Sequence, residues 1–355
     1  MKKILVTTGG TGGHVIPAEI IIEHLKNDHE IFLTTDLRGL KYLKLNLNKI
    51  KIINTPKLTF NFYILFNIIK LFYLTVYSII YLKKEKIDKV ISTGGYMSLP
   101  ICVAAKLLNV NIYLLEPNLT IGRANKFFLN FSKKIFCYSN NIKNFPKKSL
   151  NKIEIIKPLV FKKYYKSKEK RKEIRDKFCI LIFGGSQGAK IFDTEIKQAL
   201  INLNKEYPIK VVQQTSNDNI ENLRNFYNYN KIENKIFNFE KNFINLINDA
   251  DLCITRAGAG SLAEISIMNK PFIAIPLPTA KDNHQMENAK FYEKLGCCWV
   301  LEQKDLNKSK LNHILSNIMK NKLDYEEKKT NLKKLNYQSS WNDINQKIKK
   351  ILYEN

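Results

Sequence analysis

Apolar and polar positions along this chain fall into short blocks of two kinds. Ile4–Thr7 is a β-type apolar run, closed by a glycine-rich turn and followed by a helical pattern through Ile16–Leu25. Ile31–Thr34, Ile50–Ile53, Val90–Ser92, Ile112–Leu115 and Ile135–Tyr138 are further strand candidates, separated by helical stretches. Short apolar strands alternating with helices predict a parallel sheet covered by helices. The pattern then restarts. Lys162–Lys177 is highly charged with almost no apolar periodicity, and reads as a linker plus an exposed first turn or helix. Phe178–Phe183 opens a second series, continued by Val211–Gln213, Ile236–Asn238, Leu252–Thr255 and Phe272–Ile275. The boundary falls near Lys157–Phe161, giving domains over 1–157 and 158–338 and a tail over 339–355. Ser340–Tyr353 in that tail is a charged amphipathic helix expected to pack back onto the first domain.

Phe60–Leu82 departs from the pattern. It is very apolar, interrupted by Asn61, Asn67, Lys70, Thr75 and Ser78, and followed by Lys83, Lys84 and Lys86. A membrane-crossing helix needs about 20 mostly apolar residues. A lysine in mid-span costs roughly 2.5–3.5 kcal/mol. One helix, or two, partly core and partly interfacial, is the reading. An ordinary core helix fits the pattern equally well.

Composition changes the picture little. With 355 residues, 45% hydrophobic and 25% charged, the chain has room for two globular cores and excludes collagen-like, disulfide-scaffold or disordered classes. The net charge of +26 is first a matter of compositional drift, since Lys, Asn and Ile are abundant throughout. Attraction to an anionic surface is the sharper alternative. The six cysteines form no C-x-x-C pair, and Cys102, Cys137, Cys179 and Cys253 sit in apolar stretches, as buried thiols of a reducing compartment do.

Three glycine turns carry the chemistry. Gly9-Gly10-Thr11-Gly12-Gly13-His14 follows the first strand and precedes a helix, where backbone N–H groups and the helix N-terminus favour an anion. It is neither a Walker loop nor G-x-G-x-x-G. Gly184-Gly185-Ser186-Gln187-Gly188-Ala189 holds the same place in the second half. Together they predict an α/β fold of two Rossmann-like domains with parallel sheets facing across a cleft. The third turn, Arg256-Ala257-Gly258-Ala259-Gly260-Ser261-Leu262-Ala263-Glu264, suits a diphosphate. Ser261 is a helix cap or a phosphate ligand. Glu264 is a ribose ligand or a first-turn acid facing the helix dipole. Pro276–Asn288 is rich in polar residues able to hold a sugar, and His284 within it is a candidate base on composition alone. The five histidines have no metal spacing. Asp249 and Asp251, the single D-x-D, run from a helix end into a strand. No metal and no cofactor are expected.

In this order the motifs resemble the MurG family, peptidoglycan N-acetylglucosaminyltransferases of GT-B fold, from Gly9 to about Lys294. The resemblance also rests on Gly94-Gly95-Tyr96 and Asp282-Asn283-His284-Gln285. It implies transfer of N-acetylglucosamine from UDP-GlcNAc to undecaprenyl-pyrophosphoryl-MurNAc-pentapeptide (lipid I), giving lipid II, inverting and metal-independent. It implies a peripheral enzyme on the cytoplasmic face of the bacterial inner membrane, touching an anionic phospholipid surface and no nucleic acid. The donor belongs mainly to the C-terminal domain. By motif position Thr11, Gly12, Gly13 and Asn118 are donor contacts, and Asn125 is a second important asparagine. Ser186, Gln187 and Arg256 belong to the donor motifs. Ala259, Gly260, Ser261, Leu262, Ala263 and Glu264 form the diphosphate- and ribose-binding segment, with Gln285 on the sugar. His14, Tyr96 and Glu116 match positions of acceptor binding or catalysis.

There are departures. The junction motif Gly-Asn-Pro-Val-Arg reads Ile156-Lys157-Pro158-Leu159-Val160, losing the donor-contacting Arg, for which Lys157, Lys162 or Lys163 is a substitute. Glu-Gln-Asn reads Glu116-Pro117-Asn118, and the uracil-side segment reads Phe239-Glu240-Lys241, where a backbone contact survives the change. His14 is the first choice for general base and Glu116 the alternative. The rivals are another GT-B enzyme (a glycolipid glycosyltransferase or a UDP-GlcNAc 2-epimerase) and, remotely, a non-catalytic basic nucleic-acid-binding protein, which gives no reason for three glycine turns.

Overall fold

The structure is a computed structural model that describes residues 1–45, 47–56, 62, 64–167, 176–185, 188–306, 308–337 and 339–353. The chain forms two compact units, Met1–Phe161 with Ser340–Asn355, and Lys162–Ser339.

The first unit runs β1 (Lys3–Thr7), α1 (Gly12–Leu25), β2 (Glu30–Thr35), α2 (Leu37–Leu40), β3 (Ile50–Ile52), α3 (Ile64–Glu85), β4 (Lys89–Ser92), α4 (Leu99–Leu107), β5 (Asn111–Glu116), α5 (Arg123–Phe128), β6 (Lys134–Cys137) and β7 (Ile153–Ile155). Its strands form one parallel sheet in the order β3-β2-β1-β4-β5-β6-β7. Ile4, Leu5, Val6, Val90, Ile91 and Leu114 are fully buried, because a central parallel strand is covered on both faces.

The second unit runs α6 (Lys162–Ser167), β8 (Phe178–Phe183), α7 (Phe192–Glu195), α8 (Lys197–Glu206), β9 (Ile209–Gln214), α9 (Ile220–Tyr229), β10 (Glu233–Phe237), α10 (Phe243–Asp249), β11 (Leu252–Thr255), α11 (Ala259–Ile267), β12 (Phe272–Ala274), α12 (His284–Lys294), β13 (Cys298–Val300), α13 (Lys308–Lys320) and α14 (Lys322–Leu335). Its parallel sheet has the order β10-β9-β8-β11-β12-β13. In each sheet the strand order reverses beside the first strand, at β1/β4 and at β8/β11. Ligands of open α/β sheets bind beyond the strand C-termini at that reversal.

α15 (Trp341–Tyr353) returns to the first unit and packs on α1. Trp341 stacks on His24 at 3.6 Å, Lys349 pairs with Asp28 at 2.6 Å, and the buried Lys89 ammonium donates to the Leu352 carbonyl near the end of α15. All six cysteines are buried and unpaired.

Four elements differ from the pattern-based reading. The short edge strands β7 and β13 are additional. Each has only three residues, too few to show a period. α6 is not merely an exposed turn, since Tyr164 within it is buried. From Ile64 onward Phe60–Leu82 is one helix, α3, and it is no core helix. Its fully buried residues are Ser78 and Leu82, whereas Leu65, Phe66, Ile69, Phe72, Tyr73 and Ile80 are exposed. The Thr75 and Ser78 hydroxyls donate to the Leu71 and Leu74 carbonyls, so these polar residues are satisfied within the helix.

Candidate functional site

In the first unit the expected residues gather at the C-terminal ends of β1, β4 and β5. Thr7 is in register with Ser92, which sets the Gly9–His14 turn beside Gly94 and Gly95. The Thr93 hydroxyl donates to Thr8 across this junction at 2.8 Å. α1 starts at Gly12 with no side-chain cap and no acid in its first turn. Its first N–H groups therefore retain their affinity for an anion.

His14 lies on a platform made by glycine. Gly94 has φ +88°, and a Cβ there would lie 3.4 Å from the ring and 3.2 Å from Asn125 Nδ2. His14 Nδ1 is 2.8 Å from the Thr93 carbonyl oxygen. A carbonyl only accepts, so in the neutral ring the proton sits on Nδ1 and the Nε2 lone pair is left for chemistry.

Glu116, at the end of β5, is 2% exposed. One oxygen accepts from Asn118 N (3.2 Å) and Nδ2 (3.1 Å), the other from Gly122 N (2.7 Å) and Asn125 Nδ2 (3.0 Å). A carboxylate has about four acceptor positions, and donors occupy all of them. Asn125 also donates to the Leu115 carbonyl at 3.0 Å, while its buried Oδ1 has no partner among the described residues. Tyr96 is half-buried and its hydroxyl accepts from Arg38.

Two residues here carried no expectation. Asp36 accepts from Gly10 N (2.7 Å) and Gly39 N (2.8 Å) and pairs with Arg38 Nε at 2.9 Å. Burial pushes its pKa up, but these donors outweigh burial and hold it below the ordinary carboxylate value. The signal was present as an aspartate placed to cap the short helix α2. Thr93, which fixes the His14 ring, gave none, because a backbone carbonyl is not legible in residue type.

In the second unit the residues gather beyond β8, β10, β11 and β12. Ser186 and Gln187 lie outside the described residues. Gly185 has φ +76°, and a Cβ there would lie 3.3 Å from Ser261 Oγ, so glycine brings the second turn against the start of α11. The N-cap of α11 is Gly258, with no side-chain cap. Ser261 is thus not the cap, because the chain is already helical there. Leu262 N donates to Gly258 O at 3.0 Å, and the N–H groups of Ala259, Gly260 and Ser261 have no acceptor within the helix. Leu262 and Ala263 are buried beneath this turn.

Arg256 spends its donors on protein groups outside α11. Its guanidinium donates to the Ile275 (3.2 Å) and Pro276 (3.4 Å) carbonyls and to Gln303 Oε1 (2.6 Å), and lies over Phe192. Burial among these uncharged groups lowers its pKa. It braces the segment after β12, and Gln303 is a supporting residue the sequence did not single out.

Gln285 bridges two of the turns. Its Oε1 accepts from Ala257 N (3.2 Å) and Leu277 N (3.0 Å). Glu240 accepts from Asn242 N and Lys235 Nζ, both at 3.0 Å, so its carboxylate ties the turn after β10. Gln214 joins that turn to the glycine turn after β8, accepting from Gly184 N and donating to Asn238 O, both at 3.2 Å. His284 starts α12 with Nδ1 2.8 Å from the Lys281 carbonyl. Asp249 and Asp251 do not form a clamp, since Asp251 accepts from Cys179 N at 2.8 Å.

Residues 4–137 match the glycosyltransferase family 28 N-terminal domain and residues 179–345 the glycosyltransferase family 28 C-terminal domain. The UDP-N-acetylglucosamine--N-acetylmuramyl-(pentapeptide) pyrophosphoryl-undecaprenol N-acetylglucosamine transferase of Pelagibacter ubique (strain HTCC1062) is 48% identical, covering 100% of this chain and 99% of its own. The protein of the same name from Rickettsia canadensis (strain McKiel) is 35% identical over 94% of this chain and 95% of its own. Among solved structures, MurG of Acinetobacter baumannii aligns with TM-score 0.81 at 24% identity, covering 99% of both chains. A UDP-GlcNAc 2-epimerase from Neisseria meningitidis bound to UDP-GlcNAc aligns with TM-score 0.70 at 15% identity, covering 99% of this chain and 100% of that one. These likenesses show the GT-B fold, and the sequence relationships give the family. The chain belongs to glycosyltransferase family 28.

Proposed function

We propose that this enzyme transfers N-acetylglucosamine from UDP-GlcNAc to undecaprenyl-pyrophosphoryl-MurNAc-pentapeptide (lipid I), forming lipid II and UDP. The observation that carries the reading is the full-length, 48% identical relative whose name states that reaction. The site chemistry supports it.

The second unit holds the donor. The N–H groups that open α11 take the diphosphate, Glu264 takes the ribose hydroxyls, and backbone of the Phe239–Glu240 segment takes the uracil. Gln285 has its oxygen committed and turns its amide N–H toward the sugar. Arg256 acts by fixing the segment from which Gln285 projects. The first unit serves the acceptor, and its Thr11, Gly12 and Gly13 add N–H groups for the donor.

Transfer is a single displacement. His14 Nε2 takes the proton of the acceptor hydroxyl as that oxygen attacks the anomeric carbon. The bond to UDP breaks on the opposite face and inverts the centre. The departing diphosphate carries the electron pair, and the oriented N–H groups stabilise it without reorganising. Glu116 has no acceptor position left for a proton. Its part is to hold Asn118 and Asn125, and Tyr96 is held in turn by Arg38.

The acceptor is a lipid, and α3 offers a membrane contact. Its exposed Leu65, Phe66, Ile69, Phe72, Tyr73 and Ile80 form an apolar face, with Lys70, Lys83 and Lys84 exposed on the same helix and Lys86 exposed just beyond its end. A peripheral enzyme on an anionic bilayer surface, facing the cytoplasm, follows from this reading.

A panel of UDP-sugars assayed with lipid I, reading UDP release and lipid II, tests the function. UDP-GlcNAc should be preferred, and His14→Ala should lose turnover far more than UDP affinity. UDP release with no lipid product, or epimerisation of UDP-GlcNAc without acceptor, sinks the proposal. Equal loss of turnover and UDP affinity in His14→Ala sinks the base assignment.

A further inference from the structure

Arg38 is an exposed arginine that the fold nevertheless pins. It belongs to α2, which packs directly on the first glycine turn: a Cβ on Gly39 would lie 2.9 Å from Gly9 Cα. The Arg38 side chain is 47% exposed. Its Nε donates to Asp36 at 2.9 Å, and its Nη2 donates to the Tyr96 hydroxyl and to Met97 Sδ at 3.6 Å. Asp36 is buried and is itself fixed by the N–H groups of Gly10 (2.7 Å) and Gly39 (2.8 Å). Ordering so long a side chain costs rotamer entropy. Here the fold bears that cost before any ligand arrives.

A guanidinium carries five N–H donors. The two on Nη1 meet no acceptor among the described residues. Pinned donors on an exposed edge suit a phosphate, which arginine grips with paired N–H groups. Asp36 offsets part of the positive charge, so recognition depends on the direction of the fork more than on bulk attraction. The place suits the acceptor. Tyr96 follows Gly95, where a Cβ would lie 3.6 Å from His14 Nε2. A single residue thus separates the tyrosine that Arg38 holds from the glycine beside the general base. The acceptor carries its pyrophosphate and its attacking hydroxyl on one sugar, so a contact for the first has to stand about a sugar ring away from the base.

We propose that Arg38 binds the pyrophosphate of the lipid acceptor and that Asp36 is the positioning residue that aims it. The proposal rests on the reading of the acceptor as a sugar linked to its lipid through pyrophosphate.

The test uses the full chain, Arg38→Gln and Tyr96→Phe. Arg38→Gln should raise the KM for lipid I roughly ten- to hundred-fold, the range of hydrogen bonds to a charged group, and leave the KM for UDP-GlcNAc unchanged. Calorimetry with UDP saturating the donor site isolates the second anion. Inorganic pyrophosphate should then bind the wild type and Tyr96→Phe, and bind Arg38→Gln far more weakly. Equal pyrophosphate binding by the wild type and Arg38→Gln, with the two variants losing turnover alike, means that Arg38 only holds Tyr96, and overturns the proposal. So does a wild type that binds no pyrophosphate, or one from which anionic vesicles free of lipid I displace it as well as lipid I does. If the wild type binds pyrophosphate through Arg38 but forms no lipid II, the acceptor reading fails and the anion contact stands.

Discussion

Replacing Glu116 by Gln separates a base from a scaffold. The carboxylate receives four donors at 2.7–3.2 Å. An amide keeps one oxygen. Its better orientation puts that oxygen toward Gly122 and Asn125, whose bonds are shorter, and sets its NH2 against the N–H groups of Asn118. Two donors then lose their acceptor and face another donor. Leaving a buried donor unpaired costs about 1–3 kcal/mol. Asn118 is only half-buried, so water recovers part of the loss, and about 2–4 kcal/mol is expected. That is a large part of the 5–15 kcal/mol typical of a domain. Urea unfolding should register the loss, and amide exchange should accelerate at Asn118. Turnover should fall because Asn118 is misplaced, but far less than in His14→Ala. A Glu116→Gln variant as stable as the wild type that loses as much turnover as His14→Ala refutes this. Glu116 would then be the base.

Other consequences follow from the same accounting. Burial is the main cause that holds His24 at about 3, down from 6.5. A depressed histidine favours the fold above pH 6.5 and costs stability as pH falls toward 3, about 2 kcal/mol by pH 5, and His24→Phe should flatten that slope in urea midpoints. Burial raises the Glu19 pKa, against the N–H groups of Lys44 and Leu45 that pull it down. A raised carboxyl stabilises below 4.5 and loses that contribution as pH rises, so Glu19→Gln should gain relative stability between pH 4.5 and 8, and a constant difference in unfolding free energy would contradict this. Gln285→Ala frees both Ala257 N and Leu277 N, and should raise the KM for UDP-GlcNAc roughly ten- to hundred-fold while UDP inhibition changes only a few-fold. Equal changes in both would mean that Gln285 serves the nucleotide.

The parallel sheets were legible because each central strand is an unbroken apolar run, and the glycine turns because glycine marks a backbone rather than a side chain. What Gly94 does for His14 was not legible, since it depends on β1 and β4 being neighbours in space and separated by more than 80 residues in sequence. The same holds for Arg256. Its place in a glycine turn suggested a ligand contact, whereas the folded chain spends its donors on the carbonyls after β12 and on Gln303. Residue type told which groups were able to bind, and tertiary hydrogen bonds decided which were still free to do so. Tyr164 is a further case: Lys162–Lys177 read as a charged connector, and the adjacent Tyr164 and Tyr165 within it were too little period to reveal a buried face.

α3 was ambiguous for a different reason. Both of its faces are apolar, so its period could not say which one points inward. The folded chain turns the small polar Ser78 inward, satisfied by its own backbone, and leaves Leu65, Phe66, Ile68, Ile69, Phe72, Tyr73, Val76 and Ile80 exposed. This arrangement decides between the two sources of membrane affinity. Full burial of such a side chain is worth about 1.5–3 kcal/mol, so even half-burial of eight gives about 6–12 kcal/mol. Lys70, Lys83, Lys84 and Lys86 together offer about 4 kcal/mol at an anionic surface, and salt screens it. The apolar face should therefore dominate. Sedimentation with vesicles of mixed anionic and neutral lipid should retain most binding at 0.5 M salt, and Phe66→Ser with Phe72→Ser should abolish it. Release of the wild type by salt alone would place the affinity in the lysines, and would return the net charge of +26 from compositional drift to function.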